Sequence, residues 1–161
     1  MRLLTALLLL AVAAMPRDGM AQTTAPNATP DAALRVSPAF GVHYGTPLRF
    51  SLAAGVLIDK GRRHSDGVVA LVEVGQHGNE LSAGYFRTLG HLGAGYSLRG
   101  AVLRTGDAPW NASPSTTYVG AELQYMAIFG VGARVGYFRR ASRSVGDFHD
   151  NLASVGLSIG A

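Results

Sequence analysis

From Val36 onward the chain alternates between bulky apolar residues and small or polar ones with a period of two. In 48–58, Leu48, Phe50, Leu52, Ala54, Val56 and Ile58 fall on one face, against Arg49, Ser51, Ala53 and Gly55. In 116–128, Thr117, Val119, Ala121, Leu123, Tyr125 and Ala127 oppose Gly120, Glu122, Gln124 and Met126. Successive side chains of a β-strand point to opposite faces, so this period predicts strands. Eight such segments can be marked: 36–44, 48–58, 68–77, 80–88, 93–105, 116–128, 132–140 and 151–161. Most run about nine to thirteen residues, the length a tilted membrane-crossing strand needs, whereas strands of water-soluble domains typically have about five or six.

The chemistry of the second face decides which side looks inward. In the last segment Ala153, Val155, Leu157 and Ile159 oppose Ser154, Gly156, Ser158 and Gly160. A water-exposed face would carry long polar side chains; this one is Gly and Ser with an occasional charge, suited to the inside of a narrow barrel. The predicted fold is therefore all-β, an antiparallel up-and-down transmembrane β-barrel of eight strands. Its charged inward residues, Glu73, Arg99, Glu122, Arg134 and Arg49, are the candidates for an interior polar network. A Gly78-Asn79 hairpin loop would pair His77 with Glu80 and set Glu73 opposite Gly84. Closure of the next hairpin at Thr88 and Gly93 would set Ser82 opposite Arg99. Glu73 and Arg99 would then form an ion pair over Ser82 and Gly84, and losing one buried partner would cost about 3–5 kcal/mol.

Ahead of the alternating region, MRLLTALLLLAVAAMPRDGMAQ supplies a positive Arg2, an apolar run too short to span a bilayer and small residues around Ala21. It reads as a secretory signal peptide over 1–21, followed by a disordered leader over 22–35 and the barrel over 36–161. The 161-residue chain suits one domain, and its 21 glycines suit closely approaching or curving strands. It has no cysteine, so disulfides, thiolate metal sites and a Cys nucleophile are excluded. The formal charge of +4 includes a single lysine, Lys60, and no dense basic face with interleaved aromatics, which argues against nucleic acid. The five histidines are not at metal-ligand spacing, and no metal or other cofactor is expected. Gly93-Ala94-Gly95 and Gly130-Val131-Gly132 open strands rather than helices and are not phosphate loops.

With the N-terminus on the periplasmic side, 45–47, 78–79, 106–115 and 141–150 become outer loops, and 59–67, 89–92 and 129–131 become inner turns. The signal peptide, strand count, alternation and candidate girdle aromatics Tyr44, Phe129, Tyr137 and Phe138 resemble the small eight-stranded outer-membrane barrels of the OmpA and OmpX type. The resemblance is architectural and covers residues 36–161. One departure is that such barrels end on Phe or Trp, whereas this chain ends Ile159-Gly160-Ala161.

The resemblance implies a location in the outer membrane of a Gram-negative bacterium, with outer-membrane lipid and the barrel assembly machinery as partners. It implies a structural or surface-interaction role through the long outer loops rather than catalysis. Eight strands leave an interior just wide enough for side chains, which excludes a general pore. Arg139, Arg140, Arg143 and Trp110 are the candidates for contact with lipopolysaccharide phosphates or a partner. Two other readings share the pattern. A lipid A-modifying esterase of this fold resembles enzymes with a His-x-Ser pair on a late strand, which is missing here; the His64-Ser65 neighbours fall in a turn. A soluble periplasmic barrel binding a small apolar ligand would turn its bulky faces inward.

Overall fold

A computed structural model describes residues 34–59, 66–89, 93–141 and 150–160. The segments assigned to the signal peptide and most of the leader lie outside these residues, as do His64, His91, Arg143 and His149. The barrel lies in the unit Ala32–Ala161. Eight strands follow in chain order: β1 Arg35–Gly45, β2 Arg49–Asp59, β3 Asp66–Gly75, β4 Gly78–Thr88, β5 Gly95–Thr105, β6 Thr117–Ile128, β7 Val131–Arg140 and β8 Asn151–Gly160. Each pairs antiparallel with its sequence neighbour, and β8 pairs with β1 to close the barrel.

The stagger of the closure can be followed residue by residue. The pairings lead from Arg35 through Asp59, Gly67, Phe86, Ser97, Gln124, Arg134 and Gly156 back to β1 at Gly45, ten residues further on. In an eight-stranded barrel this shear sets a strand tilt of about 40°. The ends are called upper, for the side of connections 46–48, 76–77, 106–116 and 141–150, and lower, for the other.

The bulky side of every strand faces outward. Leu52, Val72, Leu123 and Leu157 are exposed, Leu157 by 65%, while Glu73, Arg99 and Glu122 are at most 2% exposed. Among the described residues 29 large apolar side chains are exposed and only 11 apolar residues are buried, so the apolar surface wraps the outside instead of filling a centre. Charges on the outward face of the strands occur only near their ends: Asp66 and Arg87 low, Arg104 and Arg139 high. The uncharged band between them spans roughly 20 Å of barrel axis at this tilt. Tyr85, Tyr96, Tyr125 and Phe129 border it below, and Tyr44, Phe50 and Tyr137 above.

Several details differ from the sequence reading. The β3–β4 turn is Gln76-His77, with Gly75 opposite Gly78 and Glu73 opposite Glu80. Gly78 is a strand residue at φ +147°, where a Cβ would stand 2.3 Å from the Arg104 carbonyl oxygen, so its glycine serves the close approach of β5 rather than the turn. The following register sets Gly84 opposite Arg99. Both corrections are even-numbered shifts, which leaves every side chain on its expected face. Phe138 is not a girdle residue and Leu48 is not outward: both are fully buried in the upper lumen. The connection expected over 59–67 is shorter than that range, since β2 runs to Asp59 and β3 starts at Asp66. Phe129 and Gly130 both have positive φ, 53° and 73°, the backbone of a tight hairpin turn whose twist matches the strands it joins.

The β1–β8 seam is the shortest, with five residue pairs from Gly41↔Gly160 to Gly45↔Gly156. The Thr46 N–H donates to the Val155 carbonyl, so even-numbered β1 residues turn their backbone groups toward β8. Pro38 is one of them and lies beyond the paired stretch, where no ladder donor is required of it.

Candidate functional site

The inward positions at mid-height hold one long polar side chain or serine from each strand: His43, Ser51, Glu73, Glu80, Arg99, Glu122, Arg134 and Ser154, in order from β1 to β8. All are buried, and their contacts join them into a belt. Glu73 is one hub. Arg134 donates to it through both terminal nitrogens, Nη1 to Oε2 at 2.7 Å and Nη2 to Oε1 at 2.9 Å. β3 and β7 are four positions apart in a ring of eight, so this forked pair reaches straight across the lumen. The Ser51 hydroxyl also donates to Glu73 Oε1, and His43 Nδ1 lies 2.8 Å from Oε2. Arg134 Nη1 is 3.0 Å from the same imidazole nitrogen. Nδ1 can donate to the carboxylate or accept from Arg134, not both, and the carboxylate is the better acceptor.

Glu122 is the second hub. Arg99, its direct cross-strand neighbour, donates to Oε2 at 3.3 Å, and Arg134 Nη1 is 3.8 Å away. Ser154 donates to Oε1 at 3.4 Å, and Glu80, the cross-strand neighbour of Glu73, is buried in the same layer. Three carboxyls and two guanidiniums thus share the belt with the His43 imidazole. The buried Nε of Arg99 and Arg134 and Nε2 of His43 have no hydrogen-bond partner among the described residues. The belt therefore closes the lumen with charge pairing that is strong but not fully saturated.

Four of the five residues assigned from sequence to an interior network, Glu73, Arg99, Glu122 and Arg134, are brought together. The expected Glu73–Arg99 pair is not among their contacts. With the observed registers Glu73 faces Glu80 and Arg99 faces Gly84, which separates them along the barrel; Glu73 pairs instead with Arg134, and Arg99 with Glu122. Arg49 is not in the belt. It has φ 61° at the start of β2, and its guanidinium lies 4.4 Å from the centroid of the Trp110 ring. His43, Ser51, Glu80 and Ser154 were missed as network members, although inward parity marks all four.

Above the belt the lumen is apolar. Leu48, Ala101, Leu103, Tyr118, Phe138 and Leu152 pack together, with Ala112 of the β5–β6 connection against them. That connection folds over the mouth instead of projecting away. Gly106 N–H donates to the His77 carbonyl, and Trp110 N–H to the Pro47 carbonyl in the β1–β2 turn on the opposite wall. Thr105 Oγ1 donates to the Ser113 carbonyl at 2.6 Å and accepts from Thr116 N–H at 2.9 Å. The Tyr118 hydroxyl accepts from Ser113 N–H at 3.0 Å. Trp110 meets Tyr44 edge-on at 6.0 Å and lies under Arg49, so the residue assigned to partner contact is also the latch of this strap. Arg139 stands on the outward face, Arg140 is half-buried, and Arg143 lies outside the described residues. Below the belt Ala39, Val69, Leu71 and Phe86 form a smaller apolar cluster on β1, β3 and β4, with Leu57 of β2 against it.

Although Ser51, His43 and Glu73 are close, they do not form a nucleophile–base–orienter series. The serine donates to the carboxylate rather than to the imidazole, and Arg134 holds that carboxylate. No protein-family model, curated protein or solved structure matches this chain.

Proposed function

We propose that this chain is an outer-membrane β-barrel of a Gram-negative bacterium, closed to general diffusion, with a structural or surface-interaction role. The reading rests on one observation: a charge-free belt of Leu, Val, Ile and aromatic side chains runs round all eight strands, with the charges on the inside. Each such side chain held in water forgoes about 1.5–3 kcal/mol of burial, so a surface of this composition needs hydrocarbon around it. A barrel carrying an apolar ligand through water would put Leu52, Leu123 and Leu157 inside; here they look out. The band height is close to the roughly 25 Å apolar zone of outer-membrane barrels. Outer-membrane lipid is then its solvent, and the barrel assembly machinery its route of insertion.

With the lumen filled by the polar belt and capped by Tyr118, Phe138 and the 106–116 strap, the surfaces left for interaction are the rims and upper connections. The test is cell fractionation combined with gel mobility before and after boiling. The proposal predicts recovery with outer membranes and a heat-modifiable band; release with the soluble periplasmic fraction would overturn it.

A further inference from the structure

The two borders of the apolar band are not equivalent. At the lower border the outward charges are Asp66 and Arg87, which face each other directly across β3 and β4 and cancel. At the upper border the outward charges on the strands are Arg104 and Arg139, with no outward carboxylate beside them. Arg104 stands opposite Asn79 on β4 and Thr117 on β6, and Arg139 opposite Asn151 on β8. These five residues make a polar arc over β4 to β8, while the same level of β1 and β2 carries Tyr44 and Phe50. Arg104 and Arg139 are exposed and have no carboxylate within ion-pair distance among the described residues. One strand, β6, separates theirs, and Arg139 pairs with Val119 there, two residues from Thr117, which places their backbones about 12 Å apart.

We propose that this arc is a binding site for the phosphate groups of lipopolysaccharide in the outer leaflet, with Arg104 and Arg139 as its two anion-binding residues. The inference rests on the membrane location proposed above and goes beyond it by assigning the site to the outward barrel wall, with Arg104 a member, rather than to Arg140 and the strap. The physical argument is complementarity. A guanidinium at the level where hydrocarbon gives way to headgroups meets phosphate oxygens in a medium less screening than water, and its planar fork matches two of them. Asn79, Thr117 and Asn151 add neutral hydrogen-bonding groups suited to the sugar and amide groups that carry the phosphates. At the lower border one carboxylate and one guanidinium stand as cross-strand neighbours with no net charge, which gives the lower leaflet no such preference.

The experiment uses the full chain refolded in zwitterionic detergent, with native mass spectrometry reading retained lipid. Probes are bisphosphorylated lipid A, fully dephosphorylated lipid A and phosphatidylglycerol. The wild type is expected to retain bisphosphorylated lipid A in preference to both others, and to lose it as salt rises. Arg104→Gln and Arg139→Gln should each lower retention about threefold and the double variant about tenfold, in line with exposed charge pairs. Arg87→Gln at the lower rim should leave retention unchanged, and Arg104→Lys/Arg139→Lys should restore part of it. Equal retention by the wild type and the double glutamine variant, or equal retention of all three lipids, would overturn the proposal. Gel mobility with and without boiling, run on each preparation, reports separately on the barrel and membrane reading, so failure of that reading is distinguishable from absence of the lipid site.

Discussion

The polar belt and the upper apolar cap close the same lumen by different physics. Every strand supplies a member of the belt, and its closure depends on a few long side chains meeting with correct charge; one forked pair, Glu73–Arg134, ties opposite walls together. The cap is a packing contact of Leu48, Leu103, Tyr118, Phe138 and Leu152, covered by a strap that hydrogen bonds hold at both ends. A charge network fails when one member is removed, because the partner is left unpaired where it is buried from bulk solvent. An apolar cap loses free energy in proportion to the volume removed.

Single and paired substitutions separate the two behaviours. Glu73→Ala or Arg134→Ala should each lower stability by about 3–5 kcal/mol in urea unfolding of the lipid-reconstituted barrel. Replacing both together by Met should cost clearly less than the sum of the two, because no charge is then stranded. Phe138→Ala in the cap should cost about 3–4 kcal/mol, and adding Leu152→Ala should deepen the loss rather than rescue it. On the outside, Leu123→Arg should destabilise the reconstituted protein by about 2–4 kcal/mol, since it puts a cation in mid-band. Tyr118→Phe, which strips the acceptor from Ser113 N–H beneath the strap, should cost about 1–2 kcal/mol and increase hydrogen exchange at that amide.

The fold was largely legible because side-chain direction in a strand depends only on parity. Period-two patterning placed Leu52, Leu123 and Leu157 on one face and Glu73, Glu122 and Arg134 on the other, and register errors by an even number of residues left that result intact. What parity does not encode is height along the barrel. The Gly78-Asn79 turn looked like the hairpin corner, but Gly78 was needed one step later, where β5 comes within reach of its backbone. That displacement moved Glu73 away from Arg99 and toward Arg134, a partner four strands round the ring that no local spacing reveals. Leu48 and Arg49 were misplaced for a related reason: positive φ at Arg49 breaks the alternation at the first residue of β2, turning the leucine into the lumen and the arginine toward Trp110. The strap was hidden because its anchors are backbone carbonyls of Pro47 and His77, which carry no sequence signature.

Because the chain has no native cysteine, single cysteines can be placed freely for spin labelling. The most direct test is a scan of β6 in lipid vesicles, comparing collisions with membrane-dissolved oxygen and with a water-soluble nickel chelate. Labels at Ala121, Leu123 and Tyr125 should collide with oxygen and be shielded from nickel, while labels at Gln124 and Met126 should be shielded from oxygen. If the outward labels met the nickel chelate instead, the strands would be bathed in water, and the account of a barrel with lipid outside and charges within would be contradicted.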